Sequence, residues 1–288
     1  MAVRKLVPMN GMLANAEERG YAVGAFNVTD LTGIQAVVQA AEEEHAPVII
    51  QMHPRGGDFI GARYMVAMAE IAAESVNVPV ALHLDHGRDL ETIETCVKTG
   101  FSSVMIDASK LPLAENIEVT QKAVEMAHAV GISAEAELGK IGSGAEVLST
   151  DDRAKSLTDP EEARRFVQET GVDALAVAIG SAHGLYKFEP NLDLDLLKEI
   201  RKVAKTRLVL HGGSDLPRDQ IQGAIGLGIT KVNVATDLAG AYTDALREFV
   251  ASNDGIIWPG RIPGAVQGPM KELIKDRIRL FGSSGMAD

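Results

Sequence analysis

Residues 79–87 read PVALHLDHG. The run opens on a proline, carries Val80, Ala81, Leu82 and Leu84, and has the length of a buried strand. It then turns polar, with His83, Asp85 and His86 within four positions and a glycine after them. Working outward, the same form recurs seven times: AVGAFNV (22–28), PVIIQM (47–52), SSVMIDA (102–108), SAEAELG (133–139), ALAVAIG (174–180), RLVLHGG (207–213) and KVNVATD (231–237). Amphipathic helical stretches lie between these runs, among them DLTGIQAVVQAAEEEH (30–45) and DPEEARRFVQETG (159–171). Asp30 and Asp159 suit the N-caps of those two helices, with Pro160 at a favoured first position.

Strand alternating with helix predicts a parallel sheet with crossover helices. Eight such units within 288 residues fit a closed (β/α)8 TIM barrel, read here as one domain over residues 1–288. A doubly wound open sheet is the alternative. Residues 269–282 (PMKELIKDRIRLFG) read as an added terminal helix. Residues 139–158 (GKIGSGAEVLSTDDRAKSLT) read as a long Gly/Ser/charged loop after the fifth strand, of a length that is often functional.

Composition narrows the function classes. Apolar residues make up 46% and charged residues 24%, as in soluble globular proteins. No apolar run is long enough to span a bilayer, and no signal segment opens the sequence, so the expectation is a cytoplasmic protein with no membrane partner. Asp and Glu outnumber Lys and Arg by 40 to 28, for a net charge of −12. That argues against a broad nucleic-acid surface but not against a local site for a small anion. The single cysteine, Cys96, excludes an intrachain disulfide and multi-cysteine metal sites, and its helical pattern reads as core.

In a barrel of this kind chemistry occupies the carboxyl ends of the strands. Polar residues collect there: His83, Asp85 and His86 on the third strand, Asp107 then Ser109 and Lys110 on the fourth, Glu135 and Glu137 on the fifth. His183 follows the sixth strand, His211 the seventh, and Asn233 and Thr236 the eighth. Three imidazoles brought together from separate strand ends suit catalytic Zn²⁺. His45 and His128 lie near helix ends and read as surface residues. Neighbours on a strand face opposite ways, so Asp85 and His86 share a site only if the chain turns there, and Gly87 is the residue expected to permit it. Asp85 is then either an acid/base or the partner that orients a histidine, and His83 either a supporting group or a core histidine with a satisfied ring. The glycines and hydroxyls of HGGSD (211–215) and NVATD (233–237) follow strands seven and eight, where such barrels frequently bind phosphate.

The segments LHLDHG, VMIDAS, AEAELGKIG, TDPEEARRFVQETGVDALAVAIGSAHGLYK, LVLHGGSDLP and GITKVNVATDL resemble, in order, the class II metal-dependent fructose- and tagatose-bisphosphate aldolases. The resemblance runs from about residue 4 to the last helix. It implies a (β/α)8 barrel, a catalytic Zn²⁺ and a homodimer or homotetramer. By motif it makes His86, His183 and His211 metal ligands, with Glu137 beside the metal and Asp107 at a second metal position. It makes Asp85 the acid/base at the aldehyde-forming oxygen, and Glu146 in the long loop the second acid/base. Asn27, Gly184, Gly212, Gly213, Ser214, Asn233, Ala235 and Thr236 are the positions expected to hold dihydroxyacetone phosphate. A monovalent cation, Na⁺ or K⁺, often accompanies that phosphate.

The activity so implied is reversible cleavage of a ketose 1-phosphate to dihydroxyacetone phosphate and an aldehyde. Departures from the family pattern fall on the aldehyde side. QMHPRGGDF (51–59) has His53 where relatives usually have a small hydroxyl residue, DASK (107–110) has Lys110, and Gln267 stands where an arginine is frequent. His53, Arg55, Lys110 and Arg261 therefore either meet a different distal anion, such as a sulfonate or carboxylate, or are ordinary surface groups. Fructose- or tagatose-bisphosphate cleavage proper is the alternative, followed by a metal-dependent isomerase or epimerase and a non-catalytic phosphosugar-binding barrel. A Schiff-base mechanism needs a desolvated lysine inside the barrel. Lys231, read as opening strand eight, and Lys187, past strand six, do not suit that role.

Overall fold

The computed structural model describes residues 6–54, 59–142, 156–186 and 190–288. Eight parallel strands, β1 (Val23–Asn27), β2 (Val48–Met52), β3 (Val80–Gly87), β4 (Ser103–Ile106), β5 (Ser133–Leu138), β6 (Ala174–Val177), β7 (Arg207–Leu210) and β8 (Ile229–Val234), pair in sequence order. β8 pairs back onto β1, so the sheet is a closed barrel rather than an open one. Among the described residues ten α-helices accompany it: α1 (Met9–Arg19), α2 (Leu31–Glu43), α3 (Ala62–Glu74), α4 (Leu90–Thr99), α5 (Leu113–His128), α6 (Pro160–Thr170), α7 (Leu194–Val203), α8 (Arg218–Gly226), α9 (Thr236–Ala251) and α10 (Ile262–Leu280). None of the described helices is long and apolar enough to cross a membrane.

The expected caps form. The Asp30 carboxylate accepts from Gly33 N at 2.8 Å, and Asp159 accepts from Glu161 N and Glu162 N, both at 2.9 Å. Each satisfies backbone donors that the first helical turn leaves without an intrahelical partner.

Strand alternation sorts side chains into two cores. Val80, Leu82 and Leu84 of β3, Ala134, Ala136 and Leu138 of β5, and Val232 and Val234 of β8 pack outward against the helices. Their alternates face the barrel interior. The lower interior is apolar: Val23, Ala25, Ile49, Ala81, Ala174, Ala176 and Val209 form one buried cluster with Met9, Met12, Leu13 and Ala16 of α1. Asn10 bonds Ser133 Oγ and Asp173 at the amino ends of β5 and β6, so α1 plugs that end of the barrel. The upper interior is polar and opens toward the carboxyl ends.

Two sequence expectations are corrected. The terminal helix begins at Ile262, not at residue 269, because Pro263 is the first-turn proline and Pro269 lies inside the helix. α10 packs on α2 and α9, and Lys271 and Lys275 bond Glu43 of α2 at 2.6 and 2.8 Å. Lys231 does not merely open β8. It lies within the strand, fully buried, with its ammonium 2.9 Å from Glu135 Oε2. Cys96 is buried as expected, its thiol pushed up to about 12 by burial. His45 and His128 are exposed, also as expected.

Candidate active site

β3 ends in an irregularity, with its register against β4 shifting between Leu84 and Gly87. The turn is taken by His86, at φ 50°, and not by the glycine after it. Gly87 is required for space instead, since a Cβ there would stand 2.4 Å from the Met105 carbonyl oxygen. The result is the one the chemistry needs: consecutive Asp85 and His86 face the same cavity, with Asp85 Oδ1 3.9 Å from His86 Nε2.

His86, Glu137, His183 and His211 converge. Each offers one ligand atom, and these atoms lie within 4.8 Å of one another. The ring centroid of His86 is 4.8 Å from that of His211 and 5.0 Å from that of His183. His211 Nδ1 and Glu137 Oε2 are buried, 3.4 Å apart, and neither has a hydrogen-bond partner. Each such orphan costs about 1–3 kcal/mol, which a cation shared between them would relieve. Three imidazoles and one carboxylate at these separations fit Zn²⁺.

The electrostatics agree. Burial works against a charge on His86, but Asp85, the hydrogen bond to Asp107 and the Glu137 carboxylate outweigh it and raise the imidazole to about 9. Burial, and then the Asp107 charge, push Glu137 up to about 8. His183 falls to about 4, through burial and then the charge on His86. Burial first, then His86 and Lys231, hold His211 well below the usual imidazole range. The pocket carries more carboxylate than it can neutralise and favours a bound cation.

Asp107 stands outside the convergent group. Its Oδ2 lies 2.8 Å from His86 Nδ1, and its Oδ1 accepts from Ser109 Oγ at 2.7 Å and Ser109 N at 3.2 Å. Asp85 is buried and held by two amides: Asn27 Nδ2 donates to Oδ2 at 2.7 Å and Asn233 Nδ2 to Oδ1 at 3.1 Å. Gln51 Nε2 in turn fixes Asn27 through Oδ1 at 2.9 Å. Burial would raise the Asp85 carboxyl, but His86, His211, Lys231 and the Asn27 amide together hold it at about 2.

Beside this cluster lie the loops after β6, β7 and β8. Gly212 has φ 66°, and a Cβ there would stand 2.3 Å from Ala182 O. A Cβ on Gly213 would strike Val232 Cγ1 at 2.4 Å, and Gly213 N donates to Asn233 O at 3.1 Å. Ser214 Oγ accepts from Asp237 N, at 3.2 Å, in the first turn of α9. Ala235 caps that helix and Thr236 begins it. Gly184 follows His183, whose backbone N donates to Gly142 O at 2.8 Å. Close-packed glycines against a helix N-terminus form an anion-binding geometry. Tyr186 fastens these loops together, with Oη donating to Gly212 O at 3.2 Å and accepting from Ala182 N at 2.7 Å.

Of the residues proposed for the far end of a substrate, His53 lies at the site, its ring centroid 5.7 Å from that of His86. Lys110 is exposed on the loop after β4. The Arg261 guanidinium sits 5.3 Å over the Phe249 ring and donates to Asn253 Oδ1 at 3.1 Å, and among the described contacts none joins it to the histidines. Arg55 and Glu146 lie outside the described residues. From sequence, Glu135 is placed only as a polar strand-end residue, Lys231 is weighed only as a Schiff-base lysine, and Gln51 receives no role. The signal for them was parity: Glu135 is two positions before Glu137, and Lys231 two before Asn233, so each shares the inward face.

The family model described as "Fructose-bisphosphate aldolase class-II" matches residues 7–286. A "Probable fructose-bisphosphate aldolase" from Bacillus subtilis (strain 168) is 42% identical over 285 residues, covering 98% of this chain and 99% of the relative. The "Fructose-bisphosphate aldolase" of Geobacillus stearothermophilus is also 42% identical, with the same coverage. Among solved structures, the YdjI aldolase of Escherichia coli K12 matches with TM-score 0.87 and 35% identity, over 98% of this chain and 100% of that one. A putative fructose-1,6-bisphosphate aldolase from Coccidioides immitis matches with TM-score 0.87 and 32% identity, over 96% of each chain.

Proposed function

The chain belongs to the class II fructose-bisphosphate aldolase family, and from that premise we propose a zinc-dependent aldolase that reversibly cleaves a ketose 1-phosphate to dihydroxyacetone phosphate and an aldehyde. The observation that carries the reading is the convergence of His86, Glu137, His183 and His211 on one position beside buried Asp85. His86, His183 and His211, with Glu137 beside them, would hold zinc there, and the ion would supply a Lewis acid for the negative charge that develops as the bond breaks.

The chain's own groups do the rest. The loops at Gly184 and Gly212–Ser214, with Ala235 and Thr236 at the start of α9, receive the 1-phosphate. Asp85 accepts the C4 hydroxyl proton as the C3–C4 bond breaks, and the bonding pair stays with C3 while C4 leaves as the aldehyde. The Asn27 and Asn233 amides hold both oxygens of Asp85 and fix the direction of that proton transfer. A second acid returns a proton to C3, and Glu146 is our candidate from the sequence.

The aldehyde half is assigned to His53 and Lys110, with Arg55 and Arg261 as further candidates for an anionic distal group, phosphate or sulfonate. The names of the two bacterial relatives favour a fructose bisphosphate as the specific substrate. One experiment separates these readings. Zinc-loaded enzyme is given dihydroxyacetone phosphate with phosphorylated, sulfonated and neutral aldehydes, and condensation is followed. A clear preference for glyceraldehyde 3-phosphate supports bisphosphate cleavage, and preference for another anion supports the special distal site. Activity that survives complete metal removal refutes the mechanism itself.

A further inference from the structure

Below the convergent histidines lies a second polar layer that the bond-breaking steps do not use. Glu135, Lys231 and His83 are each fully buried inside the barrel. Glu135 Oε1 lies 2.9 Å from His211 Nε2, and Oε2 lies 2.9 Å from Lys231 Nζ and 3.6 Å from His83 Nε2. His83 Nδ1 is 2.8 Å from Ser103 Oγ. A carboxylate only accepts hydrogen bonds, so the proton in the Glu135–His211 contact sits on Nε2. That leaves the Nδ1 lone pair of His211 free, and Nδ1 is the buried nitrogen with no partner, 3.4 Å from Glu137 Oε2.

Lys231 holds the other end of the carboxylate. Its ammonium lies against Oε2, the oxygen His211 does not use, which leaves Oε1 aimed at Nε2–H. We propose that Glu135, paired with Lys231, is a positioning residue that locks His211 as the Nε2–H tautomer and so aims Nδ1 at the metal position. The proposal rests on the zinc-aldolase reading for the identity of the metal, but not for the tautomer.

The test uses the full chain and reads tautomer and metal separately. In metal-free, ¹⁵N-histidine-labelled wild-type enzyme, long-range ¹H–¹⁵N spectra show His211 protonated at Nε2. This measurement needs no variant, and a proton on Nδ1 overturns the proposal. Two double variants then remove both buried charges, so that neither leaves an unpaired ion. Glu135→Gln/Lys231→Met keeps an acceptor for Nε2, and Glu135→Leu/Lys231→Met does not. Zinc chloride titrated against a chromophoric chelator binds the Gln variant about as tightly as wild type and the Leu variant about 10–100-fold more weakly. Equal affinities in the two variants overturn the proposal, since a purely structural layer would not discriminate an acceptor from an isostere. If wild-type enzyme binds no zinc while its His211 is Nε2-protonated, the functional reading fails and the tautomer lock stands.

Discussion

Asp85 Oδ1 lies 3.9 Å from His86 Nε2 although the two residues are consecutive in β3. A regular strand would send them to opposite faces, and the left-handed backbone of His86 brings them together. The base and a metal ligand thus come from one strand end, which makes their contributions separable by substitution. Asp85→Asn keeps the shape and removes the proton acceptor. Its kcat falls by about 10²–10⁴-fold while zinc affinity stays within a few-fold of wild type, as steady-state kinetics and chelator competition will report.

Gly87 answers a question of room. In Gly87→Ala the new methyl meets a backbone carbonyl oxygen at 2.4 Å, with Ile93 Cδ1 at 2.9 Å, and the backbone has little freedom to yield. Thermal or urea unfolding should show a loss of at least about 1–3 kcal/mol. Gly11→Ala, in α1 with nothing within 4 Å of the added Cβ, is the control and should be neutral or gain about 0.5 kcal/mol.

Tyr186 ties the loop that carries His183 and Gly184 to the loop that carries Gly212. In Tyr186→Phe both hydroxyl bonds are lost, each worth about 0.5–1.5 kcal/mol. The loops would then have to be ordered by the substrate. KM for the ketose phosphate should rise roughly 3–10-fold, with kcat changed less. An unchanged KM would remove Tyr186 from the phosphate cradle.

Glu43 gives a pH-dependent surface test. Hydrogen bonds from Lys271 and Lys275 lower its carboxyl to about 2 from the model-peptide 4.5. Because the folded value is depressed, the stabilisation is complete above the unfolded value and is lost as pH falls through about 2. The group is exposed, so screening keeps the effect below about 1 kcal/mol. Wild type should exceed Glu43→Gln by that margin at neutral pH, less in high salt, and the two should unfold alike at the acid limit.

How far the sequence reached can be judged from particular residues. The strands were legible because each is a short apolar run ending in polar residues, and the barrel followed from their number. The convergence of His86, His183 and His211 was legible because strand ends share one face of a barrel, while Glu137 joined them through the family resemblance. The roles of Gln51, Glu135 and Lys231 were not, because parity can put a residue on the inward face without naming the partner it meets there. Only closure of the sheet puts Lys231 of β8 against Glu135 of β5. The start of α10 is not legible because Pro269, a plausible helix opener, is tolerated inside the helix.

Metal removal should abolish turnover without unfolding the chain. In a zinc finger the ion supplies the folding free energy, because little else is buried. Here the four converging residues extend from strands and loops that are secured by a closed sheet and by extensive apolar cores on both of its faces. The site therefore pre-exists its ion, at the cost of the unpartnered His211 Nδ1 and Glu137 Oε2. Chelated enzyme should keep its far-ultraviolet circular dichroism spectrum, and zinc added at about 100 times its dissociation constant should raise stability by about 2.7 kcal/mol. Glu137→Gln should shrink that increment more than it changes the stability of the chelated enzyme, because it removes a charge the cation neutralises. Loss of the helical spectrum on chelation would show instead that the ion, rather than the packed barrel, holds these strand ends in place.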